Sequence, residues 1–170
     1  MEAVRETDRG EFSAHYQTGH PHAFLNVAYR GELAACRVLY SRDSEFEEQK
    51  QYAQQYPEAL REALIRFFVF EAGFSCELAE KYLSRGDRCY LAGLVFRAVS
   101  AMNQALFALN RQWLPNEKKA VFRIDTFPKR PEAYSERVNR MFEVLGGEPL
   151  RGISMLKELC GQVQAMCEEL

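Results

Sequence analysis

The sequence predicts a mainly α-helical chain, an up-and-down bundle of about four helices with a short β-hairpin at its N-terminal end. Three observations lead there. From Pro57 onward the apolar residues recur at helical spacing with little interruption. The connection at Gly86-Asp87 is so tight that the helical runs on either side of it must lie antiparallel. Between His22 and Arg30, in contrast, Ala23, Leu25, Val27 and Tyr29 alternate with His22, Phe24, Asn26 and Arg30, the period of two expected of a strand with one buried face.

Taken in order, the residues before this strand hold few apolar anchors, Phe12 and Tyr16, so this end is either disordered or joins a larger sheet. Gly31 ends the strand. The apolar run Leu33 to Tyr40 then pairs back across Gly31-Glu32, and because a two-stranded hairpin is marginal in water it needs cover from elsewhere. Ser44 with Glu47 makes a capping box that starts a polar helix from Glu45 to about Tyr56. Pro57 closes that helix and opens the next, whose Leu60, Leu64, Phe67, Phe74 and Leu78 fall on one stripe running to about Leu83. Gly86 is its C-terminal cap and Asp87 the N-cap of a third helix carrying Leu91, Leu94, Val95, Ala98, Met102 and Leu109. Pro115 to Arg130 reads as a basic connection. Two further helices follow, Pro131 to Leu145, ended by Gly146-Gly147, and Pro149 to about Glu169. The chain thus divides into a strand-containing part, residues 1–42, and a helical bundle, residues 43–170, long enough to bury a core of its own.

Charge and cysteines narrow the chemistry. Lys plus Arg number 22 against 24 Asp plus Glu, a net charge of -2, which is not the footprint of a nucleic-acid coat, so any phosphate binding must be local. The apolar stretch Cys89 to Phe96 is stopped by Arg97, far short of the roughly 20 residues a membrane helix needs. Cys36, Cys76, Cys89, Cys160 and Cys167 form no CxxC pair and no signal-peptide pattern starts the chain, so a cytoplasmic protein without disulfides is expected. Thr18-Gly19-His20-Pro21-His22 is the sharpest local cluster. Two imidazoles at i and i+2 share a strand face, and with Cys36 they offer three zinc-type donors. No fourth donor is evident and Pro21 interrupts pairing; the favoured reading is the start of a strand, where a histidine bonds the backbone or lines a cleft.

Several runs carry a resemblance. TGHPHAF leading into a strand, then YRGEL, CRVLY and YPEAL, followed by FVFEAGFSCELA, GDRCYLAGLVFRAV, ALFALN and NEK, resemble a bacterial group of nucleotidyltransferase-like proteins of the DUF4037 type over roughly residues 16–145. The resemblance implies that residues 1–42 are the remnant of an α/β nucleotidyltransferase domain of the DNA polymerase beta superfamily. It implies further that the bundle supplies the acceptor side of the active site, with Mg²⁺ and a nucleoside triphosphate in the complete protein. Such enzymes use a Gly-Ser turn and paired carboxylates to hold the metal against the triphosphate. This chain has no Gly-Ser pair. Asp43-x-Glu45 has the spacing but sits in a helix cap, where acidic groups serve the dipole, and the mid-strand position of a third carboxylate holds Asn26. The chain by itself is therefore expected to need no cofactor and to catalyse no transfer.

Within the bundle, Glu71 lies among Phe67, Phe68, Phe70 and Phe74 and wants a partner. Antiparallel packing brings Arg97 to within about a turn of its level. The pair is either a structural ion pair or the polar lining of a pocket. Arg97, Gln104 and Arg111 recur every seven residues, as do Asn103 and Asn110, giving the third helix two polar tracks. The helical part is similar to HEPN-type proteins, some of them ribonucleases with arginine and histidine on one helix. All three histidines here precede the bundle, so that route is closed and a binding role survives. Trp113, Asn116, Lys118, Lys119, Phe122, Arg123, Lys129 and Arg130 make the most basic stretch, a solvated loop in the favoured reading and otherwise a face for a triphosphate or an RNA backbone. The candidate substrate-binding set is Glu71, Arg97, Gln104, Asn110, Glu117 and Lys118. The expected partner is a nucleotide or small-molecule acceptor, with neither nucleic acid nor membrane. The alternative is a non-enzymatic HEPN-like interaction module that forms a homodimer.

Overall fold

The structure is a computed structural model that describes residues 2–168. In chain order it comprises α1 (Glu2–Glu6) with a 3-10 turn at Thr7–Arg9, β1 (Ala14–His15), β2 (Phe24–Leu25), α2 (Val27–Ala35) and α3 (Glu45–Gln54). Then come α4 (Glu58–Tyr82), α5 (Arg88–Leu109), α6 (Ala120–Ile124), α7 (Tyr134–Leu145) and α8 (Pro149–Glu168). The mainly helical class with a small antiparallel sheet near the N-terminus is as the sequence predicts. The expected end of the last helix, Glu169, lies outside the described residues.

The bundle forms around α5. Leu94, Val95, Ala98, Ala101, Met102, Ala105, Leu106, Phe107 and Ala108 are all buried, so this helix is enclosed on nearly every side. It is also long and apolar enough to cross a membrane, but 72% of that window is packed inside the protein. Helix α4 runs antiparallel to it, because Gly86 takes a left-handed φ of +73° and the Asp87 carboxylate accepts the Tyr90 N–H at 2.9 Å, leaving room for a tight turn alone. Helix α8 packs on both α4 and α5, and α7 on α8. The buried seam of α4 is Leu60, Leu64, Phe68, Ala72, Cys76 and Ala79. This seam lies a position or so around the helix from the stripe the sequence predicts: Phe67 and Phe74 are nearly half exposed, and the small Ala72, Cys76 and Ala79 are buried in their place.

The N-terminal region departs most from the sequence reading. A hairpin is present, but it pairs Ala14 with Leu25 and His15 with Phe24, not residues 22–30 with 33–40. Residues 27–35 are helical, and their buried set, Val27, Ala28, Arg30, Gly31 and Ala34, repeats every three or four positions. Residues 36–44 carry no regular element, with Leu39 and Tyr40 exposed. Asn26 fastens the hairpin, its backbone N–H donating to Ser13 O at 3.1 Å and its Oδ1 accepting the Ser13 N–H at 2.9 Å.

The segment before β1 is docked on α4. Gly10 has φ +75°, and a Cβ there would stand 2.7 Å from the Ala59 carbonyl oxygen, so that contact needs glycine. Phe12 follows it into contact with Phe67 and Phe68, at ring distances of 5.5 and 6.0 Å. Leu25 and Val27 belong to the same apolar core as the bundle. Arg30 is 1% exposed, and its guanidinium donates to Val4 O, Thr7 Oγ1, Asp8, Tyr52 O and Gln55 O, tying α1, α2 and α3 together. At α3 the capping box is replaced. Ser44 Oγ donates to Glu48 and the Asp43 carboxylate accepts the Glu45 N–H, so the acid one residue earlier does the work expected of Ser44 and Glu47.

Candidate functional site

The loop 16–23 between the two strands crosses the surface where α4, α5 and the segment after α5 meet, with a cleft of about 370 Å³ on each side. The first lies between the loop and the α4–α5 pair. Glu71 from α4 and Arg97 from α5 form the expected ion pair, brought to one level by the tight turn at Gly86. The carboxylate is the enclosed partner, 12% exposed, while the guanidinium is 43% exposed and opens to solvent. His22 closes the cleft from the loop, over a floor of Leu25 and Phe68. Burial pushes the His22 imidazole below its ordinary pKa and Arg97 pushes it further, outweighing the opposite pull of Glu71 and Glu117. At neutral pH this site thus presents an anchored carboxylate, a guanidinium edge and an uncharged imidazole that both donates and accepts.

That shift carries a linkage. The unfolded chain binds a proton at His22 near pH 6.5, whereas the folded chain resists it, so stability rises with pH across that range and falls as the solution is acidified from pH 7 to 5. The loss is expected to be smaller in His22→Gln than in the wild type, read as the shift of urea midpoints between the two pH values. Equal shifts in both proteins would show that His22 titrates freely.

The second cleft lies between the same loop and residues 115–118. His20 Nδ1 stands 3.4 Å from Glu117 Oε2, and the imidazole is braced by the edge of Phe24, 5.2 Å between centroids. The Asn116 side chain accepts the Lys118 N–H at 3.0 Å, a local turn that sets Glu117 and Lys118 on the rim. Gln104 lies beneath, lining a small void together with His20, Asn116 and Glu117.

Five of the six candidates therefore gather around one loop: Glu71 and Arg97 on one flank, Gln104, Glu117 and Lys118 on the other. Asn110 does not. Its amide caps α5, donating to Leu106 O and Lys129 O and accepting the Lys129 N–H, which spends the side chain on structure. The other member of its track, Asn103, is bonded to the buried Tyr134 hydroxyl at 2.9 Å. Arg111 leaves the helix at φ +51° and pairs with Glu58. His20 and His22, which the TGHPH cluster marks in the sequence, join the site beside these candidates. Pro21 breaks the strand that would have put both on one face, so each imidazole enters a different cleft.

Cys36 lines neither cleft, and its thiol donates to Leu33 O at 3.1 Å. Among the described residues no three His, Cys, Asp or Glu side chains come together to hold a metal ion. Asp43 and Glu45 are joined through backbone capping, so the carboxylates present here do not fit the Mg²⁺ that the resemblance implies.

A family model described as a domain of unknown function, DUF4037, matches residues 30–119, just over half of the sequence. The chain belongs to the DUF4037 family. No curated protein and no solved structure matches it. The part of this DUF4037 chain that matches contains all six candidate residues, whereas His20 and His22 lie outside it.

Proposed function

We propose that the chain is the substrate-binding helical part of a nucleotidyltransferase-type protein of the DNA polymerase beta superfamily, accessory to transfer rather than catalytic by itself. Its acceptor is a small polar molecule seated under the loop 16–23. The observation that carries this reading is the convergence of His22, Glu71 and Arg97, from three separate elements, on one cleft of about 370 Å³. A carboxylate already neutralised by a guanidinium accepts from the hydroxyl or ammonium groups of a ligand, while the exposed edge of Arg97 takes an anionic or carbonyl oxygen. His22, uncharged, adds a hydrogen bond of either sense. Metal and triphosphate belong to carboxylates that this set of residues does not supply.

The test is a titration of isotope-labelled protein with a panel of small polyhydroxy and amino compounds, and separately with ATP and Mg²⁺. Saturable amide shifts centred on residues 22, 71 and 97 are expected for a member of the panel. Arg97→Ala should weaken that binding by about tenfold or more, the worth of one charge-assisted hydrogen bond. If no compound binds and the protein elutes as a salt-resistant dimer, the interaction-module reading replaces this one. Tight Mg²⁺-dependent ATP binding would instead mean that the chain holds a nucleotide site of its own.

A further inference from the structure

We propose that the groove between the first half of α4 and the C-terminal end of α8 is a second binding site, built for an amphiphilic anion: an apolar chain or ring ending in a carboxylate or phosphate. The groove measures about 560 Å³, within the range of small-molecule pockets, and is larger than either cleft beside the loop 16–23. Its wall is apolar, made by Ile65, Val69 and Phe70 from α4 and Cys167 from α8. Phe70 is 68% exposed and, among the described residues, stacks along its own helix on Phe74, so it presents apolar surface to whatever occupies the groove. Burial pushes the Cys167 thiol up to about 11, which keeps it uncharged and part of the apolar wall.

The polar end is Arg61. It is 5% exposed, and its Nη1 donates to Glu58. Its Nε is buried without a hydrogen-bond partner among the described residues. A desolvated guanidinium N–H left unpaired is costly and uncommon in native proteins. Arg61 lines the groove, and a turn of its side chain that brings the buried Nε to the groove would offer an oxyanion the Nε–Nη2 edge, the fork that matches carboxylate and phosphate oxygens two at a time. Arg66 adds a second positive charge at the exposed rim. The acidic neighbours do not cancel this. Glu58 is already shared between Arg61 and Arg111. Glu62 and Glu168 are exposed, and Glu168 accepts from Gln164; their charges are screened by solvent and salt. An apolar trough with one buried, under-used cation at its end selects a ligand with the opposite charge on an apolar tail.

Calorimetric titration of the full chain with dodecanoate, dodecyl phosphate, dodecanol and dodecyltrimethylammonium, each below its micellar concentration, tests this. Saturable 1:1 binding is expected for one or both anions, the better of the two identifying the headgroup. The alcohol and the cation should bind at least tenfold more weakly. Phe70→Asp, at an exposed position that leaves folding intact, should weaken the anion at least tenfold, and Arg61→Gln likewise. Should Arg61→Gln not fold, Val69→Trp, which fills the groove, serves with the same expected loss. Bound anion should also slow alkylation of Cys167. No saturable binding by either anion, equal binding by dodecanol or the cation, or anion binding untouched by Phe70→Asp would each overturn the proposal.

Discussion

Replacing Arg30 with alanine is expected to lower the unfolding free energy by about 3–5 kcal/mol, the range for breaking a buried charged network by removing one member. That is a large part of the roughly 5–15 kcal/mol that holds a domain together. The reason is geometric. Six oxygens from two segments, Val4 O, Thr7 Oγ1 and Asp8 Oδ1 from one and Tyr52 O, Ala53 O and Gln55 O from the other, face a single guanidinium. The same group lies over the rings of Tyr52 and Trp113, at 4.9 and 5.6 Å from their centroids. Truncation leaves carbonyls unpaired inside the protein, so a methionine of similar length fills the space without repairing the defect. Lysine keeps the charge but offers three donors from one point in place of a planar fork, and is expected to recover less than half of the loss. Urea unfolding at constant slope measures all three variants. A cost below about 1 kcal/mol for alanine would mean that water replaces Arg30 in the network.

Arg30 also shows why part of this fold escaped the sequence. A charged residue in a short apolar run reads as facing solvent, and with it outside, residues 22–30 alternate as a strand does. Placed inside, the same residues bury Val27, Ala28, Arg30, Gly31 and Ala34 at helical spacing. Periodicity over so few positions cannot separate the two patterns, and what decides is a set of oxygens contributed by residues 4–8 and 52–55. The long helices were legible for the opposite reason. Over α4 and α5 the period is sustained for many turns, and Gly86-Asp87 states both where one stops and where the next begins. The Glu71–Arg97 pair was legible from that turn, because counting residues back and forward from it places the two side chains within about a turn of one level, a gap that a long arginine spans. Asn110 was not. An amide one position past the end of a helix looks like a member of its polar track until the segment at Lys129 is seen folding back onto it. His20 and His22 were visible as a cluster, but which cleft each enters depends on the break at Pro21, a property of the loop's path and not of its composition.

The second large effect is expected at Phe107, where alanine should cost about 3–5 kcal/mol, as for other fully buried phenylalanines. Phe107 is 1% exposed at the C-terminal end of α5. Its ring meets Phe127 edge-on at 4.9 Å and lies under the guanidinium of Arg123 at 5.2 Å, while its carbonyl accepts the Gln112 N–H at 2.9 Å. It is therefore the peg on which α6 and Phe127 beyond it hang, and α6 begins two residues after Lys118. Removing the ring leaves a cavity under α6 that the surrounding helices, held by their own packing, close only in part. The damage should be local as well as global. Hydrogen exchange is expected to speed up most at residues 117–127 under conditions where α4 and the first half of α5 remain protected, because the lost contacts are those that α6 and Phe127 make with this ring. Phe107→Leu, which keeps much of the volume, should recover a good part of the stability and of the protection. If exchange instead rises uniformly along α4, α5 and α6, then the segment carrying Glu117 and Lys118 is held by the bundle as a whole, and the second cleft does not depend on this one ring.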